Sequence, residues 1–235
     1  MKFYQEIAKY YDDIFPVKDL TLQFVESRTP KGGNILDVGC ATGGYAVALA
    51  KSGYTVKGID LSDEMIVKAK QKGKGLENLH FSKEDIFNAD ESKQYNTIYC
   101  IGNTLPHFLG LKQIEMLLSK LKKLLKPEGK LIIQTVNYDR ILKENVDSLP
   151  TIKNPDNDLK FFRNYSLTDG FINFETTLQV PEKQLTNNVR LYPITSKEIM
   201  EMLSKLEYRK INVYGAFNEA PFELTSFPMI ISCSK

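Results

Sequence analysis

The sequence predicts an α/β fold: a mostly parallel sheet with helices on both faces, plus an inserted antiparallel β meander. Three observations carry this expectation. Up to about residue 136, short apolar runs of strand length alternate with amphipathic helical stretches. The runs are apolar nearly throughout, as in strands covered on both sides. After Asn137 the rhythm changes to period-two alternation around a tight-turn signal.

The elements follow in order. NILDV (34–38) is the first strand; a Gly-rich loop and an Ala-rich helical run follow it. YTVKGID (54–60) is the second. In LSDEMIVKAKQK, Ser62 is placed to cap the helix, with Asp63 and Glu64 in the first turn where the helix dipole favours them. NLHF (78–81) and YNTIYCI (95–101) are the third and fourth strands. From Leu111 to Leu125 one helical face collects Leu111, Ile114, Leu117, Leu118, Leu121, Leu124 and Leu125, and KPEG ends it. GKLIIQTV (129–136) is the fifth strand.

The insertion comes next. FFRNYSL and FINFETTLQV flank TDG as a hairpin, with Ile172, Phe174, Thr176, Leu178 and Val180 on one face and Asn173, Glu175, Thr177 and Gln179 on the other. NVRLY extends the meander, and PTIKNPDND (150–158) reads as a linker. Thr195 and Glu198 form a capping box for a last helix that turns Ile199, Met202, Leu203 and Leu206 inward. KINVYGA and PMIISCS close the chain as strands. The expected organisation is one domain, 1–235: a helical cap (1–30), a ligand-binding core (31–149), an inserted antiparallel lid (150–193) and the return of the core (194–235).

Composition narrows the function. Hydrophobic residues make up 42% and charged residues 26%, ordinary for a globular protein. The 31 basic and 29 acidic side chains leave a net charge of +2, which lacks the electrostatic footprint of a nucleic-acid binder. The Lys-rich runs KAKQKGKG and SKLKKLLK read as solvated helix faces. No stretch approaches the roughly 18–20 apolar residues of a membrane span, and the N-terminus lacks an apolar leader core. Cys40, Cys100 and Cys233 are dispersed, and the two histidines (His80 and His107) are far apart. The expectations are therefore no disulfide framework, no metal site, no membrane and a reducing cytoplasm.

The loop Gly39-Cys40-Ala41-Thr42-Gly43-Gly44 sits where open α/β sheets bind ligands, between a strand end and a helix start. A dinucleotide fingerprint requires glycine at the third position, where this chain has Ala41. Asp37, just before the first glycine, repels a pyrophosphate and attracts an ammonium group. Asp60 ends the second strand about twenty residues after the loop, the spacing of a carboxylate that bonds a ribose diol. Asp85, in KEDIF, follows the third strand and is placed to accept from an adenine amino group. The ligand so described has an amine, a ribose and a base, but no phosphate. Cys40 reads as a small loop filler, because no partner base accompanies it.

ILDVGCATGGYAVALA, GIDLSDEMI, KEDIF and NTIYCIGN resemble, in order and spacing, the motifs of class I S-adenosylmethionine-dependent methyltransferases. The resemblance runs from about Tyr10 to the C-terminus. It implies a Rossmann-like sheet of seven strands, the last antiparallel, and S-adenosyl-L-methionine as cofactor. It also implies cofactor contacts from Tyr11, Asp37, Gly39, Cys40, Gly43, Asp60, Leu61, Met65, Asp85, Ile86, Ile101 and Gly102, with no metal.

CIGNTLPHF and VNYDRIL resemble the glycine and sarcosine N-methyltransferase branch and its small-molecule relatives. That likeness implies that Asn103 faces the acceptor and that His107 lies near the cofactor, as the two catalytic residues. The branch carries an Arg where this chain has Val136, so glycine is expected to be a poor substrate. Arg190, with Tyr192 on the same face of the lid strand, is one alternative clamp for an acceptor carboxylate. The other expectation is a larger, less charged amine or hydroxyl compound bounded by Asn103, Tyr138 and Tyr192. Two rival functions stay open: methylation of RNA or protein, and cofactor binding without catalysis. Asn103, Thr104 and His107 argue against the second, and the lack of a basic module or an NPPY motif argues against RNA.

Overall fold

In the computed structural model, which describes residues 2–235 and side chains from Glu6 onward, the alternating segments form two sheets. The chain runs α1 (Lys2–Ile14), α2 (Asp19–Glu26), β1 (Asn34–Val38), α3 (Gly44–Lys51), β2 (Thr55–Asp60), α4 (Asp63–Lys72), β3 (Leu79–Lys83) and β4 (Tyr95–Cys100). It continues α5 (Leu111–Leu124), β5 (Leu125–Val136), α6 (Tyr138–Glu144), β6 (Ser148–Asn154), β7 (Leu159–Thr168), β8 (Phe171–Val180), β9 (Lys183–Leu191), α7 (Ser196–Lys205), β10 (Arg209–Tyr214) and β11 (Pro228–Ser234).

The first sheet has the order β10-β11-β5-β4-β1-β2-β3. Strands β1 to β5 run parallel to one another, and β11 runs antiparallel between β5 and β10. Strand order reverses between β1 and β4, so the carboxyl ends of these strands open the crevice where such sheets take ligands. Burial on both faces explains the unbroken apolar runs. On one face Leu36, Ile98 and Ile133 pack with Leu117 and Leu121 of α5 and Ile199 and Leu203 of α7. On the other, Ile35, Tyr99 and Ile132 pack with Phe24 of α2, Leu49 of α3 and Ile66 of α4.

Local signals set the helix ends. Ser62 accepts from the Met65 amide, and Thr195 with Glu198 forms the full capping box. Asn137 caps α6 by accepting from the Arg140 amide. The end of α5 differs from expectation. Leu125 and KPEG belong to the irregular start of β5, and Leu111 is exposed rather than on the buried face.

The second sheet is the antiparallel meander β6-β7-β8-β9. Asp169 and Gly170 both take left-handed φ (51° and 75°), as a two-residue hairpin turn with the twist of its strands requires. The expected linker is a correction: most of it is strand β6, paired with β7, and only the Pro155–Asn157 turn interrupts the chain. Its prolines and short polar residues mask an edge strand, where proline is tolerated. Leu159, Phe161 and Leu178 on the inner face pack against Ile7, Ala8 and Ile14 of α1, while Tyr165, Ile172 and Leu191 pack against Tyr138 and Ile141 of α6.

Candidate cofactor and acceptor site

The Gly-rich loop is packed too closely for side chains at two positions. Gly39 (φ 78°) and Gly43 (φ 74°) are left-handed. A Cβ on Gly39 would lie 2.7 Å from the Thr104 side chain, and one on Gly43 would lie 2.4 Å from the Phe81 ring. The loop therefore abuts both the segment after β4 and strand β3. The amides of Gly39 and Cys40 both donate to the Ile59 carbonyl, which ties the loop to β2. Cys40 is buried, and loss of hydration pushes its thiol far above the ordinary range, as fits a filler and not a nucleophile.

Asp37 lies near the end of β1, Asp60 ends β2 and Asp85 follows β3, so three carboxylates stand at the carboxyl ends of these strands. Asp60 is fixed by two backbone donors, the Ala41 and Ser62 amides, each at 2.9 Å. Asp37 is buried and accepts from the Tyr99 hydroxyl at 2.8 Å. Burial raises its pKa to about 8, the Tyr99 bond opposes the rise, and the charge of Asp60 adds to it. Asp85 is exposed and caps the turn Ile86–Asn88 by accepting from the Phe87 amide. Ile86 and Met65 are buried beside it in the chain and in α4, and Leu61 stands exposed.

Helix α1 closes over this edge. Asp12 accepts from the Thr42 hydroxyl and from the Lys72 ammonium, each at 2.7 Å. Glu6 pairs with Lys183 of β9, and that hydrogen bond holds its carboxyl down to about 2. Tyr11, between them, packs its ring 5.1 Å from Phe15; burial and the charges of Asp60 and Asp37 push its phenol up. Sequence reasoning singled out Tyr11 but missed the Asp12–Thr42–Lys72 clamp, since its partners are distant in the chain and each looks like an ordinary surface polar residue.

The segment after β4 forms the opposite wall. Ile101 is partly buried, and Gly102 and Asn103 are left-handed, with φ of 79° and 67°. The Gly102 amide donates to Gln134, and the Val136 amide donates to Asn103 Oδ1 at 3.1 Å. Asn103 Nδ2 donates to the Tyr138 hydroxyl at 3.0 Å. Asn103 is thus held by β5 and α6 together. Tyr138 differs from the expected pocket wall: it is fully buried, and its hydroxyl faces Asn103. His107 ends the turn Leu105–His107 and is exposed. Desolvation pulls its imidazole below the usual 6.5, against the opposing charge of Asp60, so the neutral form prevails at pH 7.

The meander joins this wall where the Tyr192 amide donates to the Pro106 carbonyl. Tyr192 bonds Glu198 of α7 through its hydroxyl at 2.9 Å. Arg190 pairs across the strands with Asn173, on the exposed face, and its guanidinium lies 3.8 Å over the Phe171 ring. This corrects the expected clamp. Arg190 and Tyr192 do share a face, but in a strand of period two it is the face opposite Ile172 and Leu191.

Comparison with known proteins accords with this geometry. Residues 30–207 match the family described as methyltransferase domain. Over 189 residues the chain is 26% identical to the glycine/sarcosine N-methyltransferase of Aphanothece halophytica, covering 79% of this chain and 69% of that protein. The CcbJ methyltransferase of Streptomyces caelestis has a TM-score of 0.83 at 19% identity, covering 98% of this chain and 96% of that one. An S-adenosylmethionine-dependent methyltransferase from Clostridium acetobutylicum ATCC 824 has a TM-score of 0.81 at 16% identity, covering 99% of this chain and 98% of that one. The two superpositions establish the shared fold.

Proposed function

The chain belongs to the methyltransferase domain family and is an S-adenosylmethionine-dependent enzyme; we propose that it moves a methyl group to the amine nitrogen of a small-molecule acceptor by in-line displacement. The observation that carries this reading is the pair Asp37 and Asp60 on either side of the Gly39–Gly44 turn, at the crevice between β1 and β4.

The residues fit the cofactor by their chemistry. The edge offers carboxylates for an ammonium (Asp37), a ribose diol (Asp60) and an adenine amino group (Asp85), with Met65 and Ile86 as apolar neighbours for the base. The Gly39–Gly44 turn lets backbone approach closely, and Tyr11 on α1 covers the edge. When bound, S-adenosylmethionine supplies a methyl carbon already activated by its sulfonium. The chain's own contribution is alignment, exclusion of water and a deprotonated acceptor. Asn103, fixed on both sides, orients the acceptor nitrogen. His107, neutral at pH 7, takes its proton in this reading. A nitrogen acceptor is favoured by the likeness to a glycine/sarcosine N-methyltransferase.

The test is a panel of amines, amino acids, alcohols and phenols assayed with cofactor labelled in its methyl group. Transfer to an amine, with kcat/KM lowered in Asn103→Ala, is expected. Transfer only to hydroxyl compounds or to RNA contradicts the reading.

A further inference from the structure

The inner face of the meander holds buried hydrogen-bond donors that none of the described residues satisfies. Arg28 pairs with Glu219 and Arg209 with Glu128, whereas Arg140 and Arg163 form no ion pair among the described residues. Arg163 lies on the inner face of β7, opposite the buried Thr176. One of its terminal nitrogens donates to the Pro150 carbonyl at 2.7 Å, but its Nε is buried without a partner. Tyr165, two residues along on the same face, is 6% exposed, and its hydroxyl is also buried and unpartnered. Arg140 of α6 likewise has a buried Nε without an acceptor among the described residues, but its guanidinium lies 5.7 Å from the centre of the Phe227 ring.

Unmet buried donors are uncommon in folded proteins, and here a cation and a phenol share one face of β7 with no acceptor among the described residues for the Arg163 Nε or the Tyr165 hydroxyl. An anion satisfies both. The placement is specific. Phe161, two residues before Arg163, packs 5.7 Å from Phe15, whose ring meets Tyr11 on the cofactor side. Tyr165 packs with Tyr138, whose hydroxyl holds Asn103 on the acceptor side. Arg163 therefore stands between the two.

We propose that the acceptor amine carries a carboxylate, bound by Arg163 with Tyr165. The inference rests on the reading of the chain as an amine methyltransferase and names its substrate class. The positive charge that Val136 does not supply from β5 comes instead from the inner face of the meander. Arg163 offers Nε–H beside a terminal N–H, the side-on fork that suits a planar carboxylate.

Matched acceptor pairs test this: phenylalanine against phenethylamine, 4-aminobutyrate against butylamine, and anthranilate against aniline. In the wild type the acid of at least one pair is expected to have kcat/KM about tenfold or more above its neutral partner, the worth of a charge-assisted contact. That ratio falls towards one in Arg163→Gln and is partly kept in Arg163→Lys, with affinity for S-adenosylhomocysteine unchanged in both. A structural role would lower both members of a pair and preserve the ratio, which overturns the proposal. Neutral amines methylated as well as acids overturn this inference alone. Methylation of no amine, in protein that binds S-adenosylhomocysteine, overturns the parent reading and this one with it.

Discussion

Asp37 and Tyr99, on the adjacent strands β1 and β4, share a buried 2.8 Å hydrogen bond at the foot of the crevice. The bond leaves Asp37 with a pKa near 8, because burial outweighs the hydroxyl's help. The sign of the consequence is definite. Unfolded, the carboxyl ionises near 3.8; folded, it keeps its proton to about 8. Between these values the folded state binds more protons, so this group's contribution to stability falls as pH rises. Thermal unfolding of the ligand-free chain from pH 5 to pH 8 is expected to show that decline, and Asp37→Asn to flatten it. An ammonium ligand needs the ionised carboxylate, so cofactor affinity should rise over the same range and level off above about pH 8. A wild-type affinity independent of pH there contradicts the assignment of Asp37.

Asn103 holds the Val136 amide and the Tyr138 hydroxyl while it occupies a left-handed backbone position. Asn103→Ala leaves two buried groups without partners and is expected to cost about 1–3 kcal/mol of stability. Acceptor kcat/KM should fall about ten- to a hundredfold, with affinity for S-adenosylhomocysteine unchanged. Equal losses in cofactor and acceptor binding would place Asn103 in the scaffold alone.

The strand–helix alternation, the Ser62 cap, the Thr195–Glu198 capping box and the Asp169-Gly170 turn were all readable in the sequence, because each is a local pattern. Asp37 and Asp60 were legible for a related reason: the fold puts the ends of consecutive parallel strands at one edge. The rest depends on long-range packing. Strand β6 hid behind Pro150, Pro155 and polar neighbours. Period two showed that Arg190 and Tyr192 share a face, but not that α1 and α6 cover the other one. Arg163 and Tyr165, in the same FFRNYSL segment, were passed over for the same reason.

The Asp12 clamp joins α1 to the glycine loop through Thr42 and Lys72. Asp12 is largely exposed, so Asp12→Ala should weaken cofactor binding only about two- to fivefold, as exposed pairs do. Faster cofactor dissociation and earlier protease cleavage within α1 are the expected signs, measured by stopped-flow fluorescence and limited proteolysis. Unchanged rates in both would mean that α1 does not cover the cofactor.

The most direct test of the whole account is calorimetric titration of the wild type and Asp60→Ala with S-adenosylmethionine and with NAD. The wild type is expected to bind one S-adenosylmethionine per chain and to prefer it to NAD. Asp60→Ala should weaken that binding about ten- to a hundredfold, the worth of charge-assisted bonds to a diol, while circular dichroism shows the fold retained. Unchanged affinity in Asp60→Ala, or tighter binding of NAD than of S-adenosylmethionine by the wild type, would contradict the account.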